Sequence, residues 1–135
     1  MAKAQKVVLD SYALLSFLFK ERGAPLVVNL LEWGVQYDQN HLITAVNWTE
    51  IHYIVERKTD RRTWLEVKET LARLPIELIP VDYQLAERAA EFKIKGGLSL
   101  ADCFTAALAK QRKLPVCTGD PEFHAVESEI EIMWL

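Results

Sequence analysis

Four carboxylates in this 135-residue sequence stand where apolar runs end or helices begin: Asp10, Glu50, Asp102 and Asp120. Asp10 directly follows Val7-Val8-Leu9, and Asp120 follows Val116-Cys117-Thr118-Gly119. Glu50 closes Asn47-Trp48-Thr49-Glu50 in the expected first turn of one helix, and Asp102 closes Ser99-x-x-Asp102 at the start of another. Taken singly, each has a local explanation. Ser99-x-x-Asp102 matches a capping box and Asn47-x-x-Glu50 nearly does, Asp10 suits an N-cap, and Asp120-Pro121 is an N-cap followed by a favoured first-turn proline.

Capping does not explain convergence. If the strands are parallel, the four acids gather on one sheet edge, and ionised carboxylates within ~4–6 Å of one another raise each other's pKa. No lysine or arginine lies within three residues of Glu50, Asp102 or Asp120, or of Asp10 in the helix direction. A hard divalent cation, Mg2+ or Mn2+, answers the charge problem most simply, because such ions take oxygen ligands and keep waters. Mg2+ commonly completes its shell with phosphate, so the expected chemistry is phosphodiester hydrolysis, with the metal polarising the phosphate and lowering the pKa of a water. Either one ion or a pair ~3.5–4 Å apart fits these residues.

The pattern of the chain supplies elements to hold the four acids. The β-branched run at 6–9 reads as a strand buried on both faces, and helical spacing follows through Tyr12, Leu15 and Leu18-Phe19, then in a second helix after Pro25. A second strand is expected at 41–45, helices at about 47–57 and 61–74, and a third strand at 77–81, whose Pro80 favours a strand end or a sheet edge. Asp82 caps a helix that Gly96-Gly97 stops, and Ser99 caps the next, to about Arg112. A short strand at 115–117 and a last apolar segment at 130–135 complete the chain. Strands alternating with helices imply an α/β fold, a three-layer α/β/α sandwich around a mostly parallel sheet of about five strands. No repeat, low-complexity tract or linker divides it, so residues 1–135 read as a single domain.

Composition narrows the classes. Half the residues are apolar and 26% are charged, which suits one folded core. Cys103 and Cys117 form no C-x-x-C, and His41, His52 and His124 form no H-x-x-x-H, so zinc and disulfide scaffolds lack support. Residues 7–19 are interrupted by Asp10 and are too short to span a bilayer, which needs ~20 apolar residues. A soluble cytoplasmic protein is expected. A net charge of −3 argues against binding nucleic acid by bulk charge. With the four acids at one metal site, however, the remaining acids nearly balance the 16 basic residues.

Four segments together carry a resemblance: Val7-Val8-Leu9-Asp10-Ser11; Asn47-x-x-Glu50; Leu98-Ser99-Leu100-Ala101-Asp102-Cys103-Phe104-Thr105-Ala106-Ala107-Leu108-Ala109; and Leu114-Pro115-Val116-Cys117-Thr118-Gly119-Asp120-Pro121-Glu122-Phe123. In this order, across essentially the whole chain, they resemble a PIN domain, specifically a VapC-type toxin ribonuclease of bacterial toxin–antitoxin pairs. The last two segments are the most specific. The resemblance implies a PIN-like fold and a metal-dependent endoribonuclease whose catalytic and metal-binding residues are Asp10, Glu50, Asp102 and Asp120. It implies that Ser11, Asn47 and Thr118 support waters or ligands around them. It also implies an RNA substrate, inhibition by a small antitoxin lying in an apolar groove, and a homodimer with no membrane partner. Glu122 stands where many relatives carry a second aspartate, and it is read as peripheral.

Competing phosphoryl folds fit less well. A haloacid-dehalogenase-type phosphatase needs Asp-x-Asp where this chain has Asp10-Ser11-Tyr12, and a receiver domain needs an acidic pair and a lysine that are missing. The alternative function is a non-catalytic PIN-like module that binds a protein or RNA partner. Arg57, Lys58, Arg61 and Arg62 are candidates for RNA phosphate contacts, or else a solvated helix end; Lys110, Arg112 and Lys113 read as a helix end. Trp64 reads as core, Trp48 as core or rim, Trp33 as a wall of the antitoxin groove, and His52 as packed or exposed rather than a ligand.

Overall fold

The computed structural model describes residues 3–135. Along it run β1 (Val8–Leu9), α1 (Ser11–Leu18), α2 (Ala24–Tyr37), β2 (His41–Thr44), α3 (Ala45–Lys58) and α4 (Arg61–Ala72). Then come β3 (Ile76–Ile79), α5 (Tyr83–Lys95), α6 (Leu100–Arg112), β4 (Val116–Thr118), a 3-10 segment (Pro121–Val126) and β5 (Ile132–Trp134). The five strands form one sheet in the order β3-β2-β1-β4-β5, and every pairing is parallel. β3 is an edge strand that ends just before Pro80, as its proline anticipates.

A strand buried on both faces alternates its side chains between two cores. Val8, Leu42 and Val116 face the core made with α5 and α6, including Phe92, Leu108 and Phe123. Val7, Leu9, Ile43 and Cys117 face the core made with the first four helices, including Leu14, Leu30, Ile51 and Trp64. This is the expected three-layer sandwich. Alanines at 106, 107 and 109 are all buried, so α6 lies close against its neighbours.

Two buried features fix α2 against the sheet. His41 Nδ1 accepts from the Val7 N–H at 3.2 Å, and its Nε2 lies 2.6 Å from the Leu30 carbonyl, so Nε2 carries the proton and donates to it. Gly34, inside α2, leaves no room for a side chain: a Cβ there would sit 2.7 Å from the Gln39 carbonyl oxygen and 2.9 Å from Pro75 Cγ.

Several local expectations shift. α3 begins at Ala45 rather than Asn47, because the Thr44 hydroxyl, at the end of β2, accepts the Asn47 N–H at 3.1 Å and caps the helix. Glu50 therefore lies in the second turn, and Asn47 is not a cap. Asp82 is the N-cap expected, accepting from the Leu85 N–H at 2.8 Å. Trp64 is core, with Trp48 edge-on to it and His52 stacked on it at 4.2 Å between ring centroids. No helix among the described residues is long and apolar enough to cross a membrane.

Replacing Gly34 by alanine is expected to lower stability by ~1–3 kcal/mol through overpacking, outweighing the ~1 kcal/mol gained in helix propensity. The urea midpoint measures the balance, and an unchanged or raised midpoint would refute the close α2 contact.

Candidate active site

In an open parallel sheet, a crevice forms at the carboxyl edge where the strand order reverses. Here the reversal lies at β1, between β2 and β4, and the chain places Asp10 one residue after β1 and Asp120 two residues after β4. α6 runs back against the sheet, so Asp102 in its first turn reaches the same edge. Glu50 arrives from α3. All four line one cleft of about 180 Å³, together with Ser11 and Ser99, while Tyr12, Leu15 and Ile54 contribute its less polar walls.

Asp10 is a cap and also lines the cleft. Its Oδ1 accepts from the Ala13 N–H at 2.9 Å, and its Oδ2 accepts from the Thr118 hydroxyl at 2.5 Å. Thr118 Oγ1 in turn accepts from the Asp120 N–H at 2.9 Å, so one buried threonine ties the two aspartates together. Asp120 caps the 3-10 segment through the Glu122 N–H at 2.9 Å, and the fully buried Phe123 anchors that segment in the α5–α6 core.

Glu50 hangs on a second hydrogen-bonded chain. The Ser11 hydroxyl donates to Glu50 Oε1 at 2.5 Å and accepts from Asn47 Nδ2 at 3.0 Å. Asn47 Oδ1 accepts from the hydroxyls of Thr44 and Thr105, the latter at 2.8 Å. Asn47, Thr44 and Thr105 are fully buried. Ser11 and Thr118 thus bond carboxylates directly, and Asn47 reaches Glu50 through Ser11. Thr44 and Thr105 were missed: Thr44 ends a strand and Thr105 sits in an alanine-rich run, although Asp102-x-x-Thr105 is the spacing of one helix face.

Glu122 corrects the peripheral assignment. Its carboxylate offers an oxygen within 4.8 Å of oxygens from Asp102 and Asp120, a set able to converge on one ion. It also accepts the Ser99 N–H at 3.2 Å, the job a closed capping box would give Asp102. The proline turn brings residue 122 next to Asp102 and Asp120, which strand-and-helix periodicity does not show.

Burial pushes the Asp10 carboxyl up from 3.8 to about 7, against the lowering by Thr118 and Ala13, with Asp120 and Glu50 adding repulsion. Burial pushes Asp102 to about 8, helped by a hydrogen bond shared with the Glu122 carboxyl and by the charge of Asp10. Cys117, beneath the site, is pushed to about 12 by burial and then by Asp10, and is an inert core thiol. Among the described residues, no lysine or arginine forms an ion pair with any of the five acids. All-oxygen donors, of which Asp10 and Asp102 are buried, fit a hard divalent ion when no protein cation is paired with them.

The basic run lies elsewhere. Arg57 and Lys58 are at the far end of α3, with Arg57 over Tyr53 and Lys58 over Phe19, while Arg61 pairs with Glu56 and Arg62 with Glu66. None lines the acidic cleft. Lys110 pairs with Glu129, which suits the helix-end reading of the second run. Trp33 packs near Tyr37 and His41, and is not part of the apolar groove formed by Phe17, Val28, Leu31, Val35, Leu74 and Pro75.

The PIN domain family model matches residues 7–129. The chain belongs to the PIN domain family. No curated protein matches the sequence. Among solved structures, the fold is similar to a toxin-antitoxin complex from Klebsiella pneumoniae, at TM-score 0.71 and 18% identity over 96% of this chain and 100% of that one. VapBC2 from Rickettsia felis, bound to a promoter DNA fragment, gives 0.78 at 12% identity over 97% and 99%. VapC20 of Mycobacterium tuberculosis, described as a sarcin-ricin loop cleaving toxin, gives 0.72 at 13% over 90% and 95%. At these identities the likeness establishes this PIN domain's three-layer fold.

Asp10 and Asp102 hold protons more tightly folded than unfolded, so their stabilisation is full below about pH 4 and is lost as pH rises through about 7 and 8. His41, lowered by burial, acts oppositely, costing stability as pH falls below 6.5. Without metal, the melting temperature is therefore expected to fall between pH 6.5 and about 8. Asp102→Asn is expected to raise it at the upper end, and saturating Mn2+ to restore the wild type. A flat profile, or a loss of stability in Asp102→Asn, would mean that Asp102 serves only as a helix-terminal residue.

Proposed function

We propose that this PIN domain is a divalent-metal-dependent endoribonuclease and the toxin of a toxin–antitoxin pair. The observation that carries the proposal is the gathering of Asp10, Glu50, Asp102 and Asp120 around one cleft that no lysine or arginine lines among the described residues, with Glu122 beside Asp102 and Asp120. The RNA substrate is supported by VapC20, and the antitoxin by the complexes among the structural relatives.

Asp102, Asp120 and Glu122 offer oxygens close enough to share an ion, and the buried Asp10 lines the same cleft as Asp102 and Asp120. These carboxylates would hold a Mg2+ or Mn2+ ion, which would supply Lewis-acid polarisation of the phosphodiester and a lowered pKa for an attacking water. Asp10, fixed by Ala13 and Thr118, keeps a lone pair on each oxygen for a ligand. Glu50 receives Ser11 on Oε1, leaving Oε2 to accept a proton from a water held at the cleft mouth. The buried Asn47, Thr44 and Thr105 lock the Ser11 rotamer and hence the carboxylate that does this. Arg57, Lys58, Arg61 and Arg62, which lie away from the cleft, are candidates for phosphate contacts only along a longer strand.

The antitoxin's apolar segment is assigned to the groove of about 360 Å³ between α1, α2 and the turn into β3. A homodimer draws on exposed apolar side chains such as Tyr83 and Ile94 of α5. The site works in the cytoplasm, where RNA and free Mg2+ are at hand.

Purified chain freed of any bound partner is expected to cleave RNA in Mn2+ or Mg2+ and not in EDTA. Asp10→Asn and Asp102→Asn are expected to lower the rate at least ~100-fold. Absence of cleavage, with metal affinity unchanged in Asp10→Asn, would instead point to the non-catalytic binding module. Thr105→Val, which removes only the hydroxyl behind Asn47, is expected to lower activity ~10- to 100-fold with the fold intact; full activity in that variant would show that the buried chain does not position Glu50.

A further inference from the structure

A second cleft, of about 410 Å³, adjoins the acidic one and is lined by Tyr12, Arg22, Gly23, Gly119 and Leu135. The two clefts share Tyr12, which lines both. Its ring lies against the backbone of Gly119, where an added Cβ would sit 2.4 Å from Tyr12 Cε1. Gly119 falls between Thr118, which holds Asp10, and Asp120. Tyr12 is nevertheless 46% exposed, so part of the ring remains open to a ligand.

The floor is built. The Leu135 N–H donates to the Thr118 carbonyl at 3.0 Å, and its side chain packs so closely on Gly23 that a Cβ there would meet it at 3.0 Å. Arg22 is exposed and forms no ion pair among the described residues. It is also the one lysine or arginine that lines either cleft among those residues. An acidic cleft repels a polyanion until it is neutralised, so a free cation and an aromatic ring one step away are what a nucleic acid strand requires there.

We propose that this second cleft is a nucleotide subsite: the RNA base next to the scissile phosphate stacks on Tyr12, and that nucleotide's phosphate pairs with Arg22. The proposal rests on the ribonuclease reading and extends it to how the strand is held. Stacking on a ring is tolerant of base identity, because every base has a π-face. Arg22 adds a charge-assisted contact that carries no sequence information. The subsite therefore positions the strand and does not select its sequence.

The test uses a fluorescein-labelled, single-stranded 2′-O-methyl oligoribonucleotide of mixed sequence, with binding followed by anisotropy in Mn2+, and unmodified RNA for KM and kcat. Tyr12→Leu is expected to weaken binding and raise KM about 5- to 150-fold, and Tyr12→Phe is expected to restore both. Arg22→Gln, at an exposed position that does not threaten the fold, is expected to reduce the slope of log affinity against log salt by about 0.7. If the wild type cleaves RNA while Tyr12→Leu and Arg22→Gln match it in affinity, KM and salt slope, the subsite is wrong and the ribonuclease reading stands. If the wild type neither binds nor cleaves RNA, both fall.

Discussion

The Asp10 carboxyl is buried where a two-residue strand ends at the middle of a parallel sheet, and among the described residues no basic side chain is paired with it. An uncompensated buried carboxylate favours its proton or a metal ion over water it cannot reach. Asp102, in the first turn of a largely buried helix, meets the same condition. Helix N-termini at Asp10 and Asp102 ease the charge without removing it. The surrounding architecture serves to hold this unfavourable charge density in one place.

Two short hydrogen-bonded chains do that holding. Thr118 couples Asp10 to Asp120 across β1 and β4, and Thr44, Asn47, Thr105 and Ser11 couple α3, α6 and α1 beneath Glu50. Because these groups are buried, an unmade bond would leave an unsatisfied polar atom, so each chain has essentially one good arrangement. The packing behind them is equally constrained. Alanines in α6 let the helix lie close to the sheet, and Phe123 pins the 3-10 segment from which Asp120 and Glu122 project. Charge density, hydrogen bonding and packing thus agree on one geometry for the cleft.

Much of this was legible in the sequence because parallel strands place their next residues on one edge. Apolar β-branched runs followed by Asp10 and by Gly119-Asp120 locate the crevice before any coordinates do. What periodicity could not show was side-chain hydroxyl chemistry. Thr44 looked like an interior residue of a strand at 41–45 and proved to end that strand and cap α3, which moved Glu50 into the second turn. Thr105 sits in an alanine-rich run that carries no sign of a polar role. Glu122 was misplaced because a proline-led 3-10 turn obeys neither strand nor helix spacing. The pairing of Tyr12 with Gly119, and the approach of Arg22, depend on contacts between residues about 100 positions apart or on loop geometry, for which the chain carries no local signal. The basic run after Arg57 was visible as charge, but only the direction of α3 shows that it points away from the acids.

The central claim is that buried, proton-holding carboxylates exchange their protons for a divalent cation. Calorimetric titration of the chain with Mn2+, repeated at pH 7 in buffers of different ionisation enthalpy, counts the protons released on binding. Asp10 and Asp102, raised to about 7 and about 8, are expected to give up at least one proton per site at pH 7, with the release vanishing well above pH 8. Binding without proton release at pH 7, or no binding of Mn2+ at all, would contradict it.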